Sequence, residues 1–350
     1  MRFVIVLIPL FLIFCPITHG ISKDGEFVEP IPIVSVAAVG DIMMGTTYPS
    51  VKLPEDGGRL LFKESEEILK KADIAFGNLE GPLCDGGSPV KDMKHRGSYI
   101  FRTPTRFVKN LVDAGFNVIS LANNHAEDFG SKGVSSTKKV LDRAGIRYSS
   151  KAGEVAEFDM KGVKIGLVAV SFGPPSRSII SLKEALAEID LLSKKYNVLI
   201  VSVHGGKEGT SALHTKNKLE YFLGNPRGNI IQFAHGAIDR GADLILGHGP
   251  HVPRAIEVYQ KRLIAYSLGN FCTYGRMSLD KEQGYAPMLW AELSENGEFI
   301  RGKLYSFVQV PPGGPKKDEK ERAWTLIKKL SQEDFPGTSP FFGLSEMMPR

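Results

Sequence analysis

From Ile33 onward, short runs of β-branched and other apolar residues alternate with longer stretches whose apolar positions recur every three or four residues. That alternation is the signature of an α/β protein, in which strands buried on both faces are covered by helices; it argues against a helical bundle or an all-β sandwich. The pattern predicts strands at 33–39, 74–76, 118–121, 163–170, 198–203, 244–246 and 263–267. Helices are predicted at 64–71, 105–114, 135–144, 181–195 and 229–240, several of them closed by glycine. Two strands at 288–293 and 299–310 around the turn Glu295-Asn296-Gly297 predict an antiparallel finish to the sheet system. Beyond the break Pro311-Pro312-Gly313-Gly314-Pro315, residues 311–350 read as a tail with one helix near 323–330, an appendage to a main domain at 33–310. The segments 46–60, 84–103 and 205–228 lack periodicity and follow strand ends, where loops build the rim of a site.

Ahead of this pattern, Arg2 precedes an apolar run from Phe3 to Cys15 that Pro9 and Pro16 interrupt and bound before Thr18-His19-Gly20. The run is shorter than the roughly 20 residues a membrane span needs, so 1–20 is read as a signal peptide cleaved near Gly20, followed by a linker at 21–32. The expected location is therefore exported: periplasm, cell envelope or medium. Retention as an N-terminal membrane anchor is the alternative. Cys15 as a lipid attachment site fits poorly behind the bulky Ile13-Phe14. With export, Cys84 and Cys272, each following a strand end, are either a bridge across one rim or two small buried apolar side chains.

The chain has 350 residues, 42% of them hydrophobic, and a formal charge of +5. That composition excludes wholesale disorder, and the charge forms no basic stripe of the kind a nucleic-acid binder shows. No Gly-x-Ser-x-Gly elbow and no phosphate-binding loop ending in Gly-Lys-Ser/Thr occurs. What stands out is a set of polar residues just past the strands: Asp41, then Asn78 and Glu80, then Asn123, Asn124 and His125, then His204, His248 with His251, and Asn270. Ligands of open α/β sheets bind outside the carboxyl ends of strands, so these scattered residues can converge there. Carboxylate, amide and imidazole donors together suit manganese, zinc or iron better than calcium, and the set is large enough for one or two ions. His95 and His214 lie in irregular loops and read as solvated. His235 lies on a helix face.

The strings VGDIMMG (39–45), FGNLEGPL (76–83), FRTP (101–104), LANNHAEDFG (121–130), HGGKEG (204–209), GADLILGHGPHV (241–252) and YSLGNF (266–271) resemble, in order and spacing, the CapA family of capsule and poly-γ-glutamate biosynthesis. The resemblance implies a metallophosphoesterase-like four-layer sandwich, two β sheets flanked by helices. It implies Asp41, Glu80, Asn124, His204, His248 and His251 as metal ligands, with Glu80 in the place of a bridging aspartate and Asn78 as its rival. His125 is implied as general acid and Glu208 is a candidate helper base. Met43 stands where a ligating histidine is usual, which weakens one of two metal positions, while Gly206 and Gly249 replace larger residues and should open the pocket. Two functions are compatible with the resemblance: an exported metal-dependent hydrolase of a phosphoester or of a polymer amide bond, and a non-catalytic polymer-binding or export subunit of a membrane capsule-synthesis complex. Both imply an anionic partner and no nucleic acid. The expected substrate contacts are Asn78, Asn123, Arg102, Arg227, Arg254 and Asn270, with Arg96 and Arg276 as further rim arginines suited to carboxylates and phosphates.

Overall fold

The computed structural model describes residues 33–91, 99–173 and 177–350, and Ile33–Arg350 form one compact unit. The segments assigned above to a signal peptide and linker, and also His95 and Arg96, lie outside the described residues.

The first sheet has ten strands. Its centre is β1 (Ile33–Met43), flanked in parallel by β2 (Ile74–Leu79), then β3 (Val118–Ser120) and β4 (Arg147–Ser149). On the other side the antiparallel pair β15 (Tyr285–Ser294) and β16 (Phe299–Gln309) extends the sheet, and β17 (Pro315–Lys317), β19 (Met347–Met348) and β18 (Phe341–Phe342) complete that edge. Strand β14 (Asn270–Thr273) joins β1 from Asp41 onward.

The second sheet has seven strands. Parallel β6 (Val163–Ser171), β8 (Val198–His204), β11 (Leu244–His248) and β13 (Arg262–Ala265) form its middle. Its edges are β5 (Ala156–Met160) and β12 (Ile256–Tyr259), with short β7 (Arg177–Ser178) beside β6. A separate hairpin, β9 (Glu220–Phe222) with β10 (Asn225–Gly228), belongs to neither sheet.

Side-chain alternation along the strands decides the layers. Val34, Val36 and Ala38 of β1 and Ile165, Leu167, Val198, Ile200, Leu244 and Leu246 of the second sheet share one core, the space between the sheets. The opposite face of β1, Ala37 and Val39, packs against helices α1 (Glu66–Leu69), α2 (Val108–Ala114) and α3 (Gly130–Ala144) through Leu69, Leu111 and Leu141. The opposite face of the second sheet, Leu199, Val201 and Ile245, packs against α4 (Leu182–Ser193) and α5 (Ile230–Ile238). The result is helices, sheet, sheet, helices, the expected sandwich. The central strands β2, β8 and β11 are buried along their whole length because both of their faces are covered.

One expectation is corrected and one pair of alternatives is decided. Residues 311–350 are not an appendage: α6 (Arg322–Asp334) buries Ala323, Ile327 and Leu330, and Ile327, Phe342 and Met347 belong to the core between the sheets. The short strands β18 and β19 carry too little periodicity for a sequence pattern to register, but they cap an edge that would otherwise be unpaired. Cys84 and Cys272 are free and buried in separate apolar clusters, so no bridge ties the 84–103 loop to the scaffold.

Candidate metal centre

The site forms where the carboxyl ends of parallel strands from both sheets meet. The register of β1 shifts at Gly40-Asp41, and only past this irregularity does β14 pair with β1. Such a bulge re-aims a side chain, here Asp41, whose backbone N–H donates to the Gly269 carbonyl. A Cβ on Gly40 would fall 1.9 Å from the Gly269 oxygen, so only glycine admits this approach. Beneath Asp41 runs a fixed amide chain: Asn123 Nδ2 donates to Asn78 Oδ1 (3.0 Å), and Asn78 Nδ2 donates to Asp41 Oδ1 (2.8 Å).

Five buried titratable groups make up the cluster. Asp41, His204 and His248 form one set whose ligand atoms lie within 4.8 Å of one another; Asp41, Glu80 and His251 form a second. Asp41 is common to both. His204 Nδ1 is 2.9 Å from His248 Nδ1, and its Nε2 is 2.9 Å from Asn124 Oδ1. His248 Nε2 meets the Ser202 hydroxyl at 2.7 Å, which fixes the ring. His251 has φ 58°, a left-handed backbone that non-glycine residues seldom adopt, and Nδ1 sits 2.9 Å from Asp41 Oδ2 and 3.0 Å from Asn270 Oδ1. Backbone strain of this kind persists where surrounding contacts hold a side chain at a site.

Glu80 decides what the cluster is built for. It is fully buried, and neither carboxylate oxygen has a hydrogen-bond partner. His251 Nε2 lies at 3.7 Å and His125 Nε2 at 3.9 Å. Burial, then the charge of Asp41, pushes the Glu80 carboxyl well above the usual range. Burial also acts to raise Asp41, but the hydrogen bond and charge of His251 outweigh it and hold that carboxyl low. Burial would lower His251, yet Glu80 and Asp41 raise it to about 10. Burial, added to by His248, holds His204 well below its ordinary value. Two buried carboxylates face three imidazoles across a gap in which Glu80 has no donor, an arrangement that a divalent cation satisfies. The donors fit the group expected here.

The histidines make a test in the metal-free protein. Burial lowers His248 to about 4, so the folded state leaves it neutral at pH 5 while the unfolded chain protonates it near 6.5. The unfolded state then binds more protons in that window, and stability falls as pH drops from about 6.5 to 4. The raised Glu80 carboxyl acts in the opposite sense, so the His248 contribution is read by difference: between pH 6.5 and 4 the urea midpoint of EDTA-treated His248→Gln is expected to gain on that of the wild type.

His125 stands at the cleft edge of the cluster. Its Nδ1 is 2.9 Å from Asp128 Oδ2, and Lys91 Nζ approaches Asp128 Oδ1 to 2.6 Å. Burial lowers the imidazole's proton affinity, and the Asp128 charge partly restores it. Sequence reading missed Asp128. Its place three residues after His125 in LANNHAEDFG was the available signal.

A cleft of about 980 Å³ opens onto the cluster, lined among others by Asn124, His125, His251, Glu208, Arg227 and Arg276. Arg227 stacks on Phe172 (4.1 Å) and Phe222 (5.3 Å) and pairs with Glu208 at 2.9 Å. Phe172 and Phe222 carried no signal in the sequence beyond ordinary aromatic content. Of the expected substrate contacts, Arg227 and Asn270 line the cleft and four others do not. Asn78 and Asn123 are turned inward as the amide chain under Asp41. Arg102 donates to Thr47 and stacks on Phe129 away from the cleft. Arg254 is fully buried and paired with Glu220 through both terminal nitrogens, at 2.9 Å each. His214 pairs with Asp334, and His235 with Glu257, and neither belongs to the cluster or lines the cleft.

A two-sheet α/β sandwich with a shared-carboxylate, histidine-rich centre at its strand ends is thus the class that fold and site define. The model of the bacterial capsule synthesis protein family PGA_cap matches residues 35–274, and the chain belongs to that family. It is 28% identical over 296 residues to the capsule biosynthesis protein CapA of Bacillus anthracis, covering 77% of this chain and 68% of that one. It is 30% identical over 257 residues to the PGA biosynthesis protein CapA of Bacillus subtilis (strain 168), covering 68% and 63%. Among solved structures, a 5'-nucleotidase precursor from Thermus thermophilus superposes with a TM-score of 0.41 at 13% identity, over 86% of this chain and 59% of that one.

Proposed function

We propose that this chain is an exported metal-dependent hydrolase in the making of an anionic capsule polymer, cleaving a phosphoester or an amide of the polymer. The observation that carries the reading is Glu80: a buried carboxylate with both oxygens unpartnered, facing Nε2 of His251, whose Nδ1 meets Asp41 and whose ring lines an arginine-bearing cleft. Asp41, Glu80, Asn124, His204, His248 and His251 would hold one or two divalent ions. When bound, such ions supply Lewis acidity and bring the pKa of water toward neutrality.

This chain's own residues do the rest. Arg227, held by its aromatic stack, takes the anionic group of the substrate as a planar donor. Glu208, 3.8 Å from His251 Nε2, is placed to accept a proton from the attacking water. His125, in its protonated form, keeps Nδ1–H on Asp128 and presents Nε2–H to the leaving atom. Export rests on the apolar, proline-bounded segment at 1–20, and N-terminal sequencing from a secreting host checks it.

The function is tested by supplying manganese, zinc or iron to the purified protein and assaying p-nitrophenyl phosphate, bis-p-nitrophenyl phosphate and γ-linked polyglutamate. Turnover of one class is expected, with His125→Asn reducing kcat by about 10²–10⁴ while metal content stays intact. Metal-loaded protein that is inert on all three yet binds polyglutamate would overturn hydrolysis in favour of polymer handling.

A further inference from the structure

The β9–β10 hairpin carries an arrangement that neither the sandwich nor the centre accounts for. Along β9 the side chains alternate. Glu220 turns inward to Arg254, and Phe222 lies against Arg227. Leu219 and Tyr221, two residues apart, are turned the other way and are 43% and 54% exposed, and Leu223, the first residue of the turn after β9, is 63% exposed at the tip beside the cleft mouth. Pro226, opposite Tyr221 across the hairpin, is exposed as well. An outward apolar face on a two-stranded sheet contributes nothing to the core.

The turn sharpens the point. Leu223 and Gly224 both have positive φ, 49° and 81°, the conformation of the tight hairpin loop that favours Asn-Gly. A leucine in this backbone position is strained and gains no burial there. Asparagine would serve the turn better, so the apolar side chain is kept at the tip at a cost to the fold. Just ahead of β9, at the open end of the hairpin, Lys216 and Lys218 are exposed and have no acidic partner among the described residues. The one acidic side chain between Lys216 and Gly228, Glu220, is buried on Arg254.

We propose that this outward hairpin face docks on the interface of an anionic lipid bilayer. Leucines that enter the acyl boundary, a tyrosine at headgroup level and flanking lysines against lipid phosphates are the elements of an interfacial anchor. A second copy of the chain fits less well, because two-fold pairing of this patch on itself would oppose lysine to lysine. Phe222, Leu223 and Asn225 also line the cleft, so docking sets the cleft mouth at the lipid surface, where membrane-held substrates arrive. The inference does not depend on a metal or on hydrolysis.

The test uses the chain from Ile21 onward, as it stands after the proposed cleavage; its two cysteines, Cys84 and Cys272, are buried. An environment-sensitive fluorophore is attached through Leu223→Cys, or through Val112→Cys on α2 as an exposed control. With vesicles of equal phosphatidylglycerol and phosphatidylcholine, the label at 223 is expected to shift to the blue and brighten at least threefold, and the label at 112 to stay unchanged. Adding Lys216→Glu and Lys218→Glu, or using pure phosphatidylcholine, is expected to remove most of the change while the melting temperature holds. Equal responses at 223 and 112, or none at 223, would overturn the proposal. So would a response at 223 that grows with protein concentration in the absence of vesicles, which would indicate a second copy.

Discussion

Asp41→Ala is expected to abolish retention of divalent metal, because this one carboxylate belongs to both donor groups of the centre. Losing an outer-shell partner of a ligand typically weakens metal binding by about 10–100-fold, and losing a shared ligand is expected to exceed that. Elemental analysis after dialysis reads it directly. In the wild type, one ion is expected to survive dialysis and a second to be lost more easily, since Met43 offers only a thioether. Thermal melts give an independent readout. Metal at a hundred times its Kd stabilises by about 2.7 kcal/mol, which at this chain length raises Tm by roughly 4 °C over EDTA-treated protein. The rise should vanish in Asp41→Ala and persist in His125→Asn. Wild-type protein that keeps no metal and shows no rise with manganese, zinc or iron would remove the metal from the proposed chemistry.

The second large effect concerns stability. Arg254→Ala leaves the Glu220 carboxylate buried without its guanidinium, and removing one partner of a buried pair costs about 3–5 kcal/mol. The pair also clamps the loop that carries Glu208: Arg254 Nη2 donates to the Lys207 carbonyl, and Glu220 Oε2 accepts from the Lys207 N–H. The urea midpoint is therefore expected to fall sharply. Under the proposed function, in which Arg227 of the same segment takes the substrate's anionic group, substrate affinity should weaken with it. The double change Arg254→Met with Glu220→Gln is expected to recover much of the loss, because neither charge is then stranded. An unfolding free energy for Arg254→Ala within about 0.5 kcal/mol of wild type would show that the pair is solvated in solution.

Much of the architecture was legible because its signals are local. Runs apolar on both faces, such as Val198–Val203, announce covered strands, and the helical spacing in 229–240 announces α5; neither needs knowledge of a distant partner. Polar residues past the strand ends marked the candidate centre for the same reason, since a strand's carboxyl end is a property of the chain alone. Boundaries drifted where pairing decides them. Strand β1 runs on to Met43 because β14, more than two hundred residues later, supplies hydrogen bonds past the irregularity at Asp41.

Only the tertiary structure could separate Arg227 from Arg254, or Asn270 from Asn78. In sequence each is a polar side chain in a loop or past a strand, yet Arg227 faces the cleft between two phenylalanines while Arg254 is closed over by Glu220. The same holds for Cys84 and Cys272, similarly placed along the chain and buried in different clusters. It holds too for the tail, whose Met347 reaches the core only because the edge of β16 is there to pair with it. Residue type and spacing determine which chemistry a chain carries. Which groups meet, and which are buried against one another instead of facing the cleft, depends on contacts between segments far apart in sequence.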